Sequence, residues 1–196
     1  MAIDPIDPSK FDPINITDTC AVWNVLSSLR LYAAAKAEGC EFCVTAFVYY
    51  ECLIKKRGVL KETDRVLMDR LKREQRDGAF KVHASTIDDL QHVAQLEQRK
   101  KLGIGELSSI AFAMKIHRAV MTDDQKARKL AQEVGHALVQ TTPLLFAWLF
   151  FTGKLSEADK GAIIQQHVEM GQILKPHLER AHEMALIAIM HSRSKS

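Results

Sequence analysis

The segment FDPINITDTCAVWNVL, residues 11–26, places an acidic side chain between a strand-like run and a helix-like pattern. Residues 14–17 are mostly apolar or β-branched, which is typical of a buried strand. Residues 21–39 then repeat apolar side chains every three to four positions and end at a glycine, which predicts a helix. Asp18 therefore stands where a buried strand passes into a helix, and a carboxylate there is costly unless something pairs with it.

The order of strand and helix repeats along the chain. Short apolar or β-branched runs predict four further strands, at residues 41–46, 79–84, 118–123 and 137–141. Helical periodicity fills the segments between them. Strands that alternate with helices predict an α/β fold, a three-layer α/β/α sandwich with a central parallel sheet of about five strands.

Length and composition indicate one domain with an extension. The chain has 196 residues, and 47% of them are hydrophobic, which is enough for one core and a further segment. We expect an irregular N-terminal arm over residues 1–12, the α/β domain over 13–155 and a C-terminal helical extension over 156–196. A capping-box sequence, Ser156 to Asp159, opens the helical pattern of that extension.

Composition also argues against several classes of protein. The apolar run LLFAWLFF, residues 144–151, is far shorter than the roughly 20 residues of a transmembrane helix and indicates a core or dimer-interface helix. Residues 1–10 carry acids and prolines and no signal-peptide pattern, so we expect a cytoplasmic protein that does not bind a membrane. The formal net charge of +3 does not by itself require a nucleic-acid partner.

Two patterns suggest metal chemistry of other kinds, but each is better explained as structural. Cys40 and Cys43 have C-x-x-C spacing, yet no second pair of ligands follows, so we expect reduced structural thiols. Glu179 and His182 have the Glu-x-x-His spacing of di-iron bundles, again without a second motif. We expect that polar segment to be a solvated helix face.

Acidic residues cluster at the strand ends where parallel sheets bind ligands. Asp18 ends the first strand, and the fourth strand ends in Asp123 and Asp124. Glu51 lies in the helix after the second strand, and Glu106 lies near the start of the helix before the fourth. Carboxylates brought so close would stay partly protonated unless a cation joined them. Mg²⁺ and Mn²⁺ prefer oxygen ligands, so the set of acids suits either ion.

Each acid also has a structural explanation. Asp18 could cap the helix that follows it, as could Asp123 or Asp124, and Glu106 could favour a helix N-terminus through the helix dipole. Glu51 is the hardest to explain in this way, because its segment AFVYYECLI is otherwise largely apolar. The hypothesis of a shared site rests on four such acids, each beside a strand or helix boundary.

Four segments, in this order and spacing, resemble the PIN-domain family. They are ITDTCAVWNVL, VTAFVYYECL, IGELSSIAFAMKIHRAVMTDDQKARKLAQEVG and TTPLLFAWLFFTGKLS. The most specific part is G-E-x-x-x-I-A-x-A followed by T-D-D-x-x-A-R. The resemblance runs from about residue 13 to residue 160.

The resemblance implies an α/β/α sandwich and a Mg²⁺- or Mn²⁺-dependent endoribonuclease, often the toxin of a type II toxin–antitoxin pair. Its catalytic, metal-binding acids correspond here to Asp18, Glu51, Glu106 and Asp124. Asp123 is a neighbouring metal ligand in this assignment. Thr122 resembles the polar residue that supports such a site.

Two groups of basic residues flank the predicted acids. They are Lys55, Lys56 and Arg57 after Glu51, and Lys126, Arg128 and Lys129 after Asp124. Both groups could hold the RNA backbone through salt-dependent contacts, and we expect single-stranded or looped RNA. The alternative is a PIN-fold protein-interaction or RNA-binding module with little or no nuclease turnover. The partners expected in either case are a second copy of the chain, in a homodimer, and an antitoxin protein.

Overall fold

A five-stranded parallel sheet lies at the centre of the computed structural model, which describes residues 7–55 and 58–193. The strands are β1 (Ile14–Thr17), β2 (Glu41–Thr45), β3 (Lys81–His83), β4 (Ala119–Met121) and β5 (Val139–Gln140). Their order is β3-β2-β1-β4-β5, and every neighbouring pair is parallel. This order puts the carboxyl ends of β1, β2 and β4 side by side.

Helices connect the strands and cover the sheet. They are α1 (Thr19–Ser27), α2 (Leu29–Ala37), α3 (Ala46–Leu53), α4 (Glu62–Arg76), α5 (Ile87–Arg99), α6 (Ile104–Ile116), α7 (Gln125–Glu133), α8 (Thr142–Phe151), α9 (Glu157–Glu169) and α10 (Lys175–Arg193). The predicted α/β/α sandwich with helices after it is confirmed. Within the described ranges, no helix combines the length and apolarity needed to cross a membrane.

Two hydrophobic cores lie on the two faces of the sheet. Successive strand residues point to opposite faces, and Val120 and Met121 accordingly belong to different cores. The core that contains Val120 is built with α5, α6 and α7. The core that contains Met121 is built with α1, α2, α3, α4 and α8, and the C-terminal helices α9 and α10 join it. The extension therefore enlarges one face of the sheet.

The helix predicted over residues 21–39 is two helices, because the chain breaks at Ser28. The backbone of Ser28 is extended, with φ −114° and ψ 108°. Its hydroxyl oxygen accepts the N–H of Leu31 at 3.1 Å and so caps α2. The apolar periodicity continues through the break, so the pattern alone predicted one continuous helix.

The C-terminal helices cover the apolar run of α8. Phe146 and Leu149 of that run are fully buried, which makes α8 a core helix packed against α10. The prediction of a solvated face around His182 is wrong for that residue. His182 is 3% exposed, its ring lies edge-on to Phe150, and its Nε2 contacts Glu157 of α9. Its burial comes from packing against α8 and α9, which the polarity of its own segment does not reveal.

Candidate metal centre

Asp18 lies at the carboxyl end of β1, and its side chain is completely buried. Its Oδ1 accepts the N–H of Ala21 at 2.7 Å, which caps α1, and its Oδ2 accepts the hydroxyl of Thr122. Burial raises the pKa of Asp18 to about 7 even though both hydrogen bonds lower it, and the negative charges of Asp123 and Glu106 raise it further. Asp18 is thus both a helix cap and a member of a cluster of acids.

Glu51 reaches from α3 to the first turn of α6. Its Oε1 accepts the N–H of Gly105 at 3.3 Å, and its Oε2 accepts the hydroxyl of Thr19 at 2.6 Å. A Cβ atom on Gly105 would lie 2.4 Å from Oε2, closer than non-bonded atoms can approach. The glycine of the I-G-E sequence therefore leaves the space in which the Glu51 carboxylate lies.

Glu106 lies in the first turn of α6, beside the Glu51 carboxylate. Its Oε2 accepts the N–H of Gly103 at 2.7 Å, so it closes the N-terminus of its own helix. Burial raises the pKa of Glu106, and the negative charges of Asp124 and Glu51 raise it further. The positive charge of Lys126 acts in the opposite direction.

The two adjacent acids after β4 have different partners. Asp124 Oδ1 accepts the N–H of Ala127 at 2.8 Å and caps α7. The carboxylate of Asp123 accepts the N–H of Thr142 at 2.9 Å, the hydroxyl of Thr142 at 2.6 Å and the side-chain N–H of Asn24 at 2.7 Å. Asp123 therefore connects the end of β4 to α1 and α8, while Asp124 acts on Glu106.

The thiol of Cys20 shows that these acids share one region. Burial raises the pKa of Cys20 to about 12, and the negative charges of Asp18, Asp123, Asp124 and Glu106 contribute to the rise. Those acids come from the ends of β1 and β4 and from α6. The parallel sheet has brought together side chains that are up to 106 positions apart in the sequence.

Four carboxylates, those of Asp18, Glu51, Glu106 and Asp124, form what we name the acidic centre. Their oxygens, together with the hydroxyls beside them, are the kind of ligand that Mg²⁺ and Mn²⁺ take. Burial is the main cause of the raised pKa values of Asp18 and Glu106, but the repulsion among the carboxylates adds to them, and positive charge would relieve that repulsion. The donor chemistry therefore fits a divalent cation.

The side-chain positions differ from those of a ligated site. In residues 7–55 and 58–193, no group of three or more His, Cys, Asp or Glu side chains is arranged to hold a metal ion. Each carboxylate of the acidic centre instead accepts a backbone N–H at the start of a helix. Ligation would therefore require rotation of at least one of them.

Comparison with known families identifies the fold. A family model described as a PIN domain matches residues 15–149. The chain is a member of the PIN-domain family. PIN domains have a nuclease-like fold, and the family consists generally of nucleases that depend on divalent metal ions. No curated protein matches the sequence significantly.

In this PIN-domain protein, the matched region ends within α8. Helices α9 and α10 follow it, and both pack on the matched part of the chain. The match lies inside the segment 13–155 that the sequence predicts for the domain.

Three polar residues that hold the acids were not found from the sequence. Thr19 and Asn24 of α1 and Thr142 of α8 donate to Glu51 or Asp123. Asn24 carries the clearest signal, because it is a buried amide within the apolar segment AVWNVL. The sequence did identify Thr122, whose hydroxyl contacts Asp18.

The basic residues after Glu51 are only partly described. Lys55 follows α3 and is exposed. Lys56 and Arg57 lie outside the described residues.

The basic residues after β4 have unequal positions. Lys126 is close enough to Glu106 to lower its pKa. Arg128 donates to the backbone oxygen of Asp123 at 2.9 Å, so it supports the loop. The Nζ of Lys129 lies 3.9 Å from the Glu133 carboxylate, one turn further along α7. Lys126 is therefore the basic side chain of α7 that the structure ties most directly to the acidic centre.

Proposed function

We propose that the protein is a metal-dependent endoribonuclease whose acidic centre binds Mg²⁺ or Mn²⁺. One observation carries this proposal: the fully buried carboxylate of Asp18 lies among other acids and accepts hydrogen bonds from neutral donors, and burial raises its pKa to about 7. A buried, uncompensated carboxylate is unfavourable for the fold. A divalent cation at the acidic centre would remove that cost, and the same ion could take part in hydrolysis.

The side chains of the acidic centre would have distinct tasks. A bound cation would activate water and stabilise negative charge on the leaving oxygen of a phosphodiester. Asp18, fixed by Ala21 and Thr122, would supply a rigid ligand, with Glu51 and Asp124 as further ligands. Glu106, whose pKa is raised, would take up the proton of the attacking water on its carboxylate. The bonds that Asp123 makes to α1 and α8 favour an anchoring task for it over ligation.

The substrate that we propose is single-stranded or looped RNA, cut to leave 5′-phosphate and 3′-hydroxyl ends. A recessed group of acids must reach one strand at a time. Lys126, with Lys55 on the side of α3, would contact the phosphates flanking the cut. We further propose a role as the toxin of a type II toxin–antitoxin pair, active as a homodimer and inhibited by an antitoxin protein.

RNA cleavage by the purified protein tests this function. A mixed cellular RNA pool would be incubated with Mg²⁺, with Mn²⁺ or with a chelator, using wild type, Asp18→Asn and Asp69→Asn. Asp69 lies on α4 with a side chain that is 73% exposed, so its variant is a control of the same chemistry. We expect cleavage that needs metal, survives in Asp69→Asn and falls by at least about 10³-fold in Asp18→Asn. Cleavage that persists in Asp18→Asn would contradict the proposal.

A second function, a binding module without turnover, is favoured by the capping bonds of the acids. Every carboxylate of the acidic centre already accepts an N–H of a helix N-terminus. If the acids serve only to cap helices, the folded protein would bind RNA equally well with metal and with chelator, and it would cut no RNA in either condition. The binding of a labelled RNA to wild type and Asp18→Asn in chelator separates the two functions.

A further inference from the structure

The C-terminal extension touches the helix that carries the Asp18 cap. α9 lies beyond the matched PIN-domain region, yet its side chains meet α1 and the turn into α2. Asp159 pairs with Arg30, and Gln166 Oε1 accepts the hydroxyl of Ser28 at 2.6 Å. The third contact is His167 Nε2, which lies 2.9 Å from the backbone oxygen of Asn24.

His167 acts as a cap for the C-terminal end of α1. The last four carbonyls of a helix lack partners inside it, and α1 ends at Ser27 without a glycine. His167 Nε2 reaches the oxygen of Asn24, and the Arg70 guanidinium donates to the oxygens of Leu26 and Ser27 at 2.7 and 3.1 Å. Side chains from α9 and α4 thus fix the end of the helix.

Both ring nitrogens of His167 face a backbone oxygen at 2.9 Å, Nδ1 that of Ile163 and Nε2 that of Asn24. The ring is completely buried, and burial lowers its pKa, so the neutral form donates through one nitrogen. We assign the proton to Nε2, because the oxygen of Asn24 is among the last four carbonyls of α1, whereas that of Ile163 lies in the interior of α9.

Asn24 links His167 to Asp123. The backbone oxygen of Asn24 meets His167, and its side-chain N–H donates to Asp123 at 2.7 Å. Asp123 stands between Thr122, which contacts Asp18, and Asp124 of the acidic centre. A shift of α1 at Asn24 would therefore move the acids of both β1 and β4.

We propose that His167 is a positioning residue, through which the C-terminal extension sets α1 and Asp123 so that the acidic centre can bind a cation. The proposal rests on the metal-dependent function proposed above. It assigns to the extension a task in the site in addition to its packing on α8. It also predicts that a substitution at His167 alters amide exchange and cation binding at residues that His167 does not contact.

Three variants of two adjacent residues test this proposal. His167→Phe keeps a buried ring and removes the donor to Asn24. Gln166→Leu removes a hydrogen bond between the same helix and Ser28, which caps α2 and does not contact the acids. His167→Gln retains an N–H that can reach the oxygen of Asn24, and it provides the conservative rescue. Mn²⁺ affinity by calorimetry and amide hydrogen exchange by mass spectrometry are measured on all three.

The expected result is specific to His167→Phe. We expect its Mn²⁺ affinity to fall about 10-fold, which is the usual cost of removing a residue that orients a metal ligand without binding the metal. We also expect faster exchange in peptides covering residues 119–127 and 140–146. Gln166→Leu should show neither change, and His167→Gln should recover most of the affinity.

Three outcomes would overturn the proposal. They are wild-type affinity and exchange in a folded His167→Phe, equal losses in Gln166→Leu, and faster exchange confined to α9 and α10. If His167→Phe does not fold, a His167→Gln variant with faster exchange in α9 but unchanged exchange around Asp123 would also contradict it.

A wild type that binds Mn²⁺ but cuts no RNA would refute the proposed function alone. A wild type that binds no Mn²⁺ would refute both the proposed function and the link from His167 to cation binding.

Discussion

Two buried aspartates at helix N-termini, Asp18 and Asp89, have opposite pKa shifts. Asp89 in the first turn of α5 is 5% exposed, and burial would raise its pKa. Lys115 Nζ at 2.8 Å, the N–H and hydroxyl of Thr86, and His83 Nε2 at 3.0 Å outweigh burial and lower that pKa. Asp18 accepts only neutral donors in its two hydrogen bonds, and its pKa is raised to about 7.

The two regions differ in whether the charge of the buried acid is balanced by a basic side chain of the protein. The Asp89 region contains its own cation, so its charge is balanced inside the fold. The acidic centre contains several carboxylates that raise one another's pKa, and in the function that we propose a bound ion balances their charge. Burial and helix capping are common to both regions, so neither feature alone distinguishes them.

The largest expected difference between Asp18 and Asp89 is in how each affects the pH dependence of the unfolding free energy. Asp18 binds its proton more tightly in the folded state than in the unfolded state, whose pKa is near 3.8. Its contribution is therefore fully present below pH 4 and is lost as the pH rises to about 7. A shift of about three units corresponds to up to about 4 kcal/mol of unfolding free energy. Urea unfolding with chelator, between pH 4 and pH 8, measures it.

The control for this prediction is Asp18→Asn, which lacks the titrating group. Its unfolding free energy should fall less than that of wild type over the same range, and it should exceed that of wild type at pH 8. Parallel curves for the two proteins would show that Asp18 is ionised without cost, and the contrast with Asp89 would disappear.

Asp89→Asn should have the opposite effect on stability. The substitution removes the charge that pairs with Lys115 and weakens the bonds to Thr86 and His83. We expect a loss of about 2 kcal/mol at pH 7, since hydrogen bonds to charged groups are worth more than neutral ones. Because the pKa of Asp89 is lowered, this loss should shrink as the pH falls below about 4. Equal stability of Asp89→Asn and wild type in urea at pH 7 would be the contrary result.

Gly105→Ala should weaken the acidic centre while the fold remains intact. The new Cβ would meet Glu51 Oε2 at 2.4 Å, so the carboxylate must move. Alanine is favoured over glycine in a helix by roughly 1 kcal/mol, which offsets the cost of that shift. We expect nearly unchanged stability in urea and a loss of about 10-fold in Mn²⁺ affinity by calorimetry. Unchanged Mn²⁺ affinity would show that Glu51 is not a ligand.

The smallest expected effect is a difference in RNA affinity between variants of two lysines of α7. Lys126 acts on Glu106, whereas Lys129 lies beside Glu133. If Lys126 contacts RNA, Lys126→Ala should weaken binding several-fold and reduce the slope of log affinity against log salt by about 0.7. Lys129→Ala should change both quantities less. Fluorescence anisotropy with a labelled RNA over a salt series gives both values, and equal effects of the two substitutions would refute this ranking.

The sequence predicted those features that depend on local pattern and on strand order. Alternating strands and helices gave the parallel sheet, and the rule for its carboxyl edge brought Asp18, Glu106 and Asp124 together. The break at Ser28 was missed because apolar periodicity continues across it. Burial of His182 was missed because it depends on α8 and α9.

The supporting contacts of the acids were beyond local reasoning for the same reason. Asn24 meets a carboxylate 99 positions away, and His167 meets α1 across 143 positions. Such pairs depend on how helices pack, and no local motif encodes them. The resemblance already selected Asp124, but the anchoring contact of Asp123 with Thr142 was missed because it depends on how α8 packs beside β4.

Calorimetric titration of the metal-free protein with Mn²⁺ at pH 8 shows whether the acidic centre binds a cation. Wild type, Asp18→Asn, Asp89→Asn and Asp69→Asn would be compared under identical conditions. We expect saturable binding to wild type that is weakened at least about 10-fold in Asp18→Asn and preserved in the other two variants. Absence of saturable binding, or equal binding in Asp18→Asn, would contradict the claim that the acidic centre is built to hold a cation.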